Sequence, residues 1–96
     1  MPPANPARGE VVVHLAGAPR RLCLTLGALA RIEGALALTD WRELPARMET
    51  LSARELLAVL AALIEDEPAD LSGVTIPEAL AAVAAALAAS TSGMGA

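Results

Sequence analysis

A single aromatic side chain, Trp41, occurs in the whole chain, and there is no phenylalanine or tyrosine. Any core must therefore be assembled from Leu, Val, Ile and Ala. The hydrophobic fraction reaches 55%, but much of it is alanine, which buries far less area than leucine on a scale of about 25 cal/mol per Å². With 96 residues the chain has room for one core, because two would each fall near the size at which domains need disulfides or metals. The expectation is one small, soluble domain of marginal stability, one that gains from a protein partner.

Local patterns divide the chain. Residues 1–8, with prolines at 2, 3 and 6, read as an extended arm with little to bury. From Glu10 to Leu15 the sequence alternates, with Val11, Val13 and Leu15 on one face and Val12 and His14 on the other, the period-2 signature of a strand. Ala16, Gly17, Ala18 and Pro19 supply a turn. Arg20 to Leu24 then alternates again, so the two runs form a β-hairpin. Thr25 is a helix N-cap, followed by Leu26, Leu29, Ile32, Glu33 and Leu36 at helical spacing through about Leu38.

Asp40 and Glu43 suggest a second capped helix with Trp41, Leu44 and Met48 on its apolar face, limited by Pro45. Ser52 and Glu55 form a capping box before Leu56, Leu57, Val59, Leu60, Leu63 and Ile64, and Pro68 closes the segment after an acidic run. Thr75 and Glu78 repeat the box, with Pro77 tolerated in the first turn. Leu80, Val83, Ala84 and Leu87 are expected to be the inward stripe of the last helix. The fold class is α+β, an N-terminal β-hairpin packed on about four α-helices. Residues 9–89 make the domain, and the Ser, Thr, Gly and Ala residues of 90–96 read as a disordered tail.

Chemistry is sparse. A hydrolase needs a nucleophile, a base and an orienting group, and the chain has one histidine, His14, and one cysteine, Cys23. Both are expected on the same face of the hairpin, yet with no third group the pair reads as a half-exposed imidazole and a small buried hydrophobe. One cysteine also excludes an internal disulfide and a thiolate zinc cluster. Glu65, Asp66 and Glu67 are consecutive and diverge, Gly27 and Gly34 lie within a helix, and no EF-hand, P-loop or dinucleotide motif occurs. No enzyme activity, metal or cofactor is expected.

The net charge is -4, and all seven basic residues are arginines at or before Arg54. Nucleic acid is thus disfavoured as a ligand, since phosphate binding needs a basic patch and a DNA-reading helix needs basic side chains. The adjacent Arg20 and Arg21 are the nearest approach to such a patch, and arginines so placed in a strand usually lie on a solvated edge. The apolar runs are too short to cross a bilayer, and the start lacks the basic and apolar regions of a signal peptide. The expected address is the cytoplasm.

Two blocks are more specific than composition. Asn5 to Glu10, the hairpin, and Thr25, Leu26, Gly27, Ala28, Leu29, Ala30, Arg31, Ile32 and Glu33 resemble the opening of a small phage-derived family from gene transfer agent clusters of alphaproteobacteria. Leu51 to Leu57 are similar to its second block, a capped helix start. The resemblance spans about residues 5–88 and is looser in the last helix. It implies a siphophage-like tail assembly chaperone, from a group also labelled tail tube proteins, that coats the helical tape measure protein, as a homo-oligomer or as copies along that partner. The alternative is a tube or terminator subunit retained in the particle, against which two expected strands are few. A DNA-binding regulator is a more distant third.

For the binding surface, the candidates are Trp41, Leu56, Val59, Leu60, Leu63, Leu80, Val83 and Leu87. Each has a second reading as monomer core. Trp41 is open between core keystone and interface anchor, since large aromatics are enriched at interface hot spots.

Overall fold

The computed structural model describes residues 9–65 and 71–94. It is an α+β fold in which a two-stranded antiparallel hairpin is packed with four helices. Strand β1 is Glu10–Leu15 and β2 is Ala18–Cys23. The turn is shorter than the expected Ala16 to Pro19: Ala16 and Gly17 alone connect the strands, with φ of 53° and 82°. Left-handed backbone at both central positions matches the twist of a two-residue hairpin turn, which glycine tolerates freely and alanine does not. This turn sets the register, with Leu15 opposite Ala18 and Glu10 opposite Cys23. Pro19 pairs with His14, next to the turn-closing pair, where a missing N–H breaks no rung of the ladder.

Helix α1, Leu26–Leu36, is capped by Thr25, whose Oγ1 accepts from the Ala28 N–H at 3.0 Å. It stops two residues earlier than the periodicity suggests. Ala37 turns left-handed at φ 56°, and the Ala37 and Leu38 N–H groups both donate to the Glu33 carbonyl, satisfying the helix end at the cost of an alanine in a glycine conformation. Ala28, Ile32 and Leu36 are buried against α3.

The second capped segment is broken rather than continuous. A single 3-10 turn, Trp41–Glu43, leads into α2, Leu44–Arg47, and another 3-10 turn, Met48–Thr50, follows. Pro45, in the first turn of α2, has no N–H to continue a longer helix from Trp41. Leu44 is buried and Met48 packs partly on the core, as expected, but Trp41 faces outward at 52% exposure. It is not a keystone of the core.

Helix α3, Ala53–Leu63, opens on the expected capping box: Ser52 Oγ accepts from the Glu55 N–H at 3.1 Å, and Glu55 Oε1 accepts from the Ser52 N–H at 2.9 Å. Its buried stripe is Leu56, Val59, Leu60 and Leu63. Ile64 is outside the helix and forms a bridge with Leu22, while the Glu65 N–H donates to the Arg21 carbonyl at 2.9 Å. The exit of α3 is thereby pinned to the outer edge of β2. The Asp66 to Pro68 terminator lies outside the described residues, as do the arm 1–8 and residues 95–96.

Helix α4, Ile76–Met94, starts on the second box, with reciprocal Thr75 and Glu78 hydrogen bonds of 3.0 and 3.2 Å. It continues through Met94, into the stretch that composition assigns to a tail from residue 90. Ser90 is accommodated there by donating its hydroxyl to the Leu87 carbonyl at 2.9 Å. The buried face also differs from expectation. Ala79, Ala82, Val83 and Ala86 point inward, Ala84 and Leu80 are exposed, and Leu87 is half-buried.

Because α4 is apolar on nearly every side, hydrophobic spacing alone does not choose its face. Close approach decides it. A Cβ built on Gly9, itself at φ 79°, would meet the Ser90 Cα at 3.0 Å, so the start of β1 crosses α4 with room for a hydrogen only. One core cluster joins Leu15, Leu22, Ile32, Leu44, Leu60 and Val83, drawing on both strands and all four helices.

Candidate protein-binding surface

The capping boxes fix where α3 and α4 begin, and those two beginnings flank an apolar groove. Its volume is about 200 Å³, and its walls include Leu56, Leu57 and Leu60 from α3, Leu71 and Val74 from the connection, and Ile76 from the first turn of α4. Ser72 and Thr75 add polar groups. Leu57 is 47% exposed and Ile76 62% exposed, so the groove opens onto large apolar side chains. Leu80, 40% exposed, stands four residues after Ile76 and so on the same side of α4. Exposed apolar residues that cluster beside a groove mark interaction sites more reliably than scattered ones do.

The α3 side of the groove is held by electrostatics. Arg47 Nη2 lies 2.6 Å from Glu55 Oε2, and Arg47 Nη1 donates to Thr50 Oγ1 at 2.9 Å, which ties α2 to the first turn of α3. The Ser52 N–H, followed by Arg47, holds the Glu55 carboxyl below the usual glutamate range. Glu43 does similar work at the preceding turn. Its Oε1 accepts from Thr39 Oγ1, the Thr39 N–H and the Asp40 N–H at 2.9 to 3.0 Å. The Thr39 hydroxyl, then those backbone donors, lower its pKa. Asp40 is lowered chiefly by its hydrogen bonds from the Arg42 side chain.

The eight candidate binding residues separate by burial. Leu56, Val59, Leu60, Leu63 and Val83 lie in the core, although Leu56 and Leu60 also reach the floor of the groove. Leu80 and Trp41 are exposed and Leu87 is half-buried. Trp41 is not among the groove's walls. Ile76 is not among the sequence-based candidates, and Leu57 enters the sequence reading only as part of the apolar run of α3. The signal for Leu57 was present, since it falls off the 56, 59, 60, 63 stripe; Ile76, the first residue after the Thr75 cap, precedes any stripe that would orient it.

The remaining polar residues are dispersed. His14 is opposite Pro19 and Cys23 opposite Glu10, so the imidazole and thiol are four residues, or roughly 13 Å, apart along one face of the hairpin. They are too far apart for a dyad. Arg21 lies 3.6 Å from Glu65, and Arg20, its neighbour in an alternating strand, faces the other way. Among the described residues no group of three or more His, Cys, Asp or Glu side chains is arranged to hold a metal ion, and no helix is long and apolar enough to cross a membrane.

The family described as "Phage tail tube protein, GTA-gp10" matches residues 8–93. The chain belongs to that family. Its match takes in both strands and runs through nearly all of α4, including the last helix, where the sequence blocks were looser. No curated protein and no solved structure matches the chain.

Proposed function

We propose that this GTA-gp10 family member is a non-catalytic component of a phage-like tail, retained in the particle and assembled with other tail proteins through the groove between α3 and α4. The observation that carries the reading is the open apolar groove, flanked by Leu57 and Ile76, in a chain of the tail tube family. A buried Leu or Ile side chain contributes about 1.5–3 kcal/mol, so covering these residues would stabilise a contact appreciably. A non-catalytic role is supported by the separation of the one histidine from the one cysteine.

The test is the protein content of particles purified from cells that express the whole tail gene cluster. Many copies of this chain per particle is the expected result. Its absence from otherwise complete particles would overturn retention and favour the second reading, an assembly chaperone that covers the tape measure protein and departs. That alternative draws on one observation, a leucine-walled groove between two helices, the shape that receives an amphipathic helix. Its distinguishing result is a tape measure protein that is soluble only when co-expressed with this chain.

A further inference from the structure

The two outer edges of the hairpin differ. In the register fixed by the turn, Leu15 with Ala18, Val13 with Arg20 and Val11 with Leu22 are the pairs that exchange hydrogen bonds. Glu10, Val12 and His14 on β1, and Pro19, Arg21 and Cys23 on β2, therefore aim their backbone groups away from the neighbouring strand. The bond from the Glu65 N–H to the Arg21 carbonyl agrees with that parity.

The outer edge of β2 is closed. Pro19 has no N–H to offer, the Arg21 carbonyl is taken by Glu65, and Ile64 bridges to Leu22. Such devices keep a sheet edge from pairing further. At Val12 and His14 the outer edge of β1 has none of them. Among the described residues no group bonds the outward N–H or C=O of either one. Both side chains are exposed, and Val11, Val12 and Val13 are β-branched residues suited to a strand.

Backbone donors and acceptors repeated at every second residue receive another strand, and the edge itself names which. Laid antiparallel on a second copy of itself about Val12, β1 sets Val12 opposite Val12, Val11 opposite Val13 and Glu10 opposite His14. Apolar residues meet apolar ones and a carboxylate meets an imidazole, so each opposed pair is compatible. The outward-aimed residues also meet one another, which is the condition for exchanged hydrogen bonds along the join.

The helix behind the edge suits the same occupant. α4 packs against β1 more than against β2, and a twofold axis through the join places both copies of α4 on one side of the joined sheet. From Ala79 to Met94 the helix has no charged residue, so the two copies bring no like charges together there.

We infer that β1 pairs antiparallel with β1 of a second copy across a twofold axis at Val12, joining two hairpins into one four-stranded sheet. The contact uses the same surface on both sides, so it closes at two copies. It draws on none of the groove's walls.

The test begins with sedimentation velocity of the full chain over a wide concentration range, where the monomer is expected to pass to twice its mass and no further. Val12→Pro removes an outward N–H at the centre of the join and leaves the bonds to β2 in place. Val12→Lys sets like charges opposite each other. Each is expected to weaken the dimer about tenfold or more, with circular dichroism checking the fold. Val12→Lys, at a part-exposed position, carries the test if Val12→Pro does not fold.

Cross-linking reads the register. Opposed residues of an exchanged pair have Cα atoms about 5.5 Å apart, within disulfide reach, and the native Cys23 is buried. Under mild oxidation Val12→Cys is expected to give a covalent dimer. His14→Cys, whose two copies lie four residues or roughly 13 Å apart in this register, is expected to run as a monomer on a denaturing gel. A chain that stays monomeric at every concentration overturns the inference, as does a dimer that neither Val12→Pro nor Val12→Lys weakens. So does cross-linking of His14→Cys as readily as Val12→Cys. Any of these results leaves retention in the tail standing, because retention is read from particle content.

Discussion

Helices α3 and α4 both open on a capping box and both pack in one core, yet they are built differently. α3 turns Leu56, Val59, Leu60 and Leu63 inward, while α4 turns Ala79, Ala82, Val83 and Ala86 inward and leaves Ile76 and Leu80 outside. A leucine face buries large area and keeps a partner at a distance. An alanine face buries little and admits the neighbouring backbone closely, as the approach of Gly9 to Ser90 requires. The difference teaches where this molecule has apolar surface to spare: a helix that packs through alanine presents its larger side chains to the outside, where Ile76 helps to wall a groove.

The sharpest way to break this contrast is to exchange the two kinds of face. Leu60→Ala leaves a cavity in the leucine layer and should cost about 2–5 kcal/mol, seen as a large drop in the urea midpoint. Ala86→Leu inserts bulk at a fully buried position on the alanine face of α4 and should cost about 1–3 kcal/mol. If Ala86→Leu were neutral by the same measurement, the close packing attributed to α4 would be wrong. At the helix start, Ser52→Ala removes one side of the capping box and should cost about 1 kcal/mol, near 4–8 °C in melting temperature for a domain of this size.

Acid titration sharpens the comparison further. The carboxyls of Glu43, Asp40 and Glu55 are held below their ordinary values by hydrogen bonds in the fold. A group depressed on folding adds stability that is present above its unfolded pKa and is lost as pH falls through its folded value. The melting temperature should therefore hold steady from neutral pH to about pH 5 and fall below about pH 4. Glu55→Gln should flatten that fall at the entry to α3. The smallest effect belongs to the outer side of α4: Leu80→Gln should change stability by no more than about 0.5 kcal/mol.

Much of the framework was legible in residue order. The hairpin was visible in the alternation of Val11, Val13 and Leu15, and the starts of α1, α3 and α4 in Thr25, Ser52 with Glu55, and Thr75 with Glu78. The breaking of the second helix at Pro45 was visible in part. Less legible were the surroundings of the candidate site. Trp41 was balanced between core and surface, and Leu80 was assigned inward, because a side chain at one helical spacing fits either role until the neighbouring elements are in place. The groove itself joins residues near 56 to residues near 76, and no local pattern links them.

By itself, then, the amino-acid order determined the α+β class, the strands and the capped helix starts, because turns, caps and alternation act between residues a few positions apart. Only the tertiary structure decided which face of the alanine-rich α4 is buried, that Ile64 bridges to Leu22, and that Leu26, Leu57 and Ile76 are left uncovered. Those outcomes depend on how closely two backbones approach across the core. A helix apolar on nearly every side does not encode that distance in its own spacing.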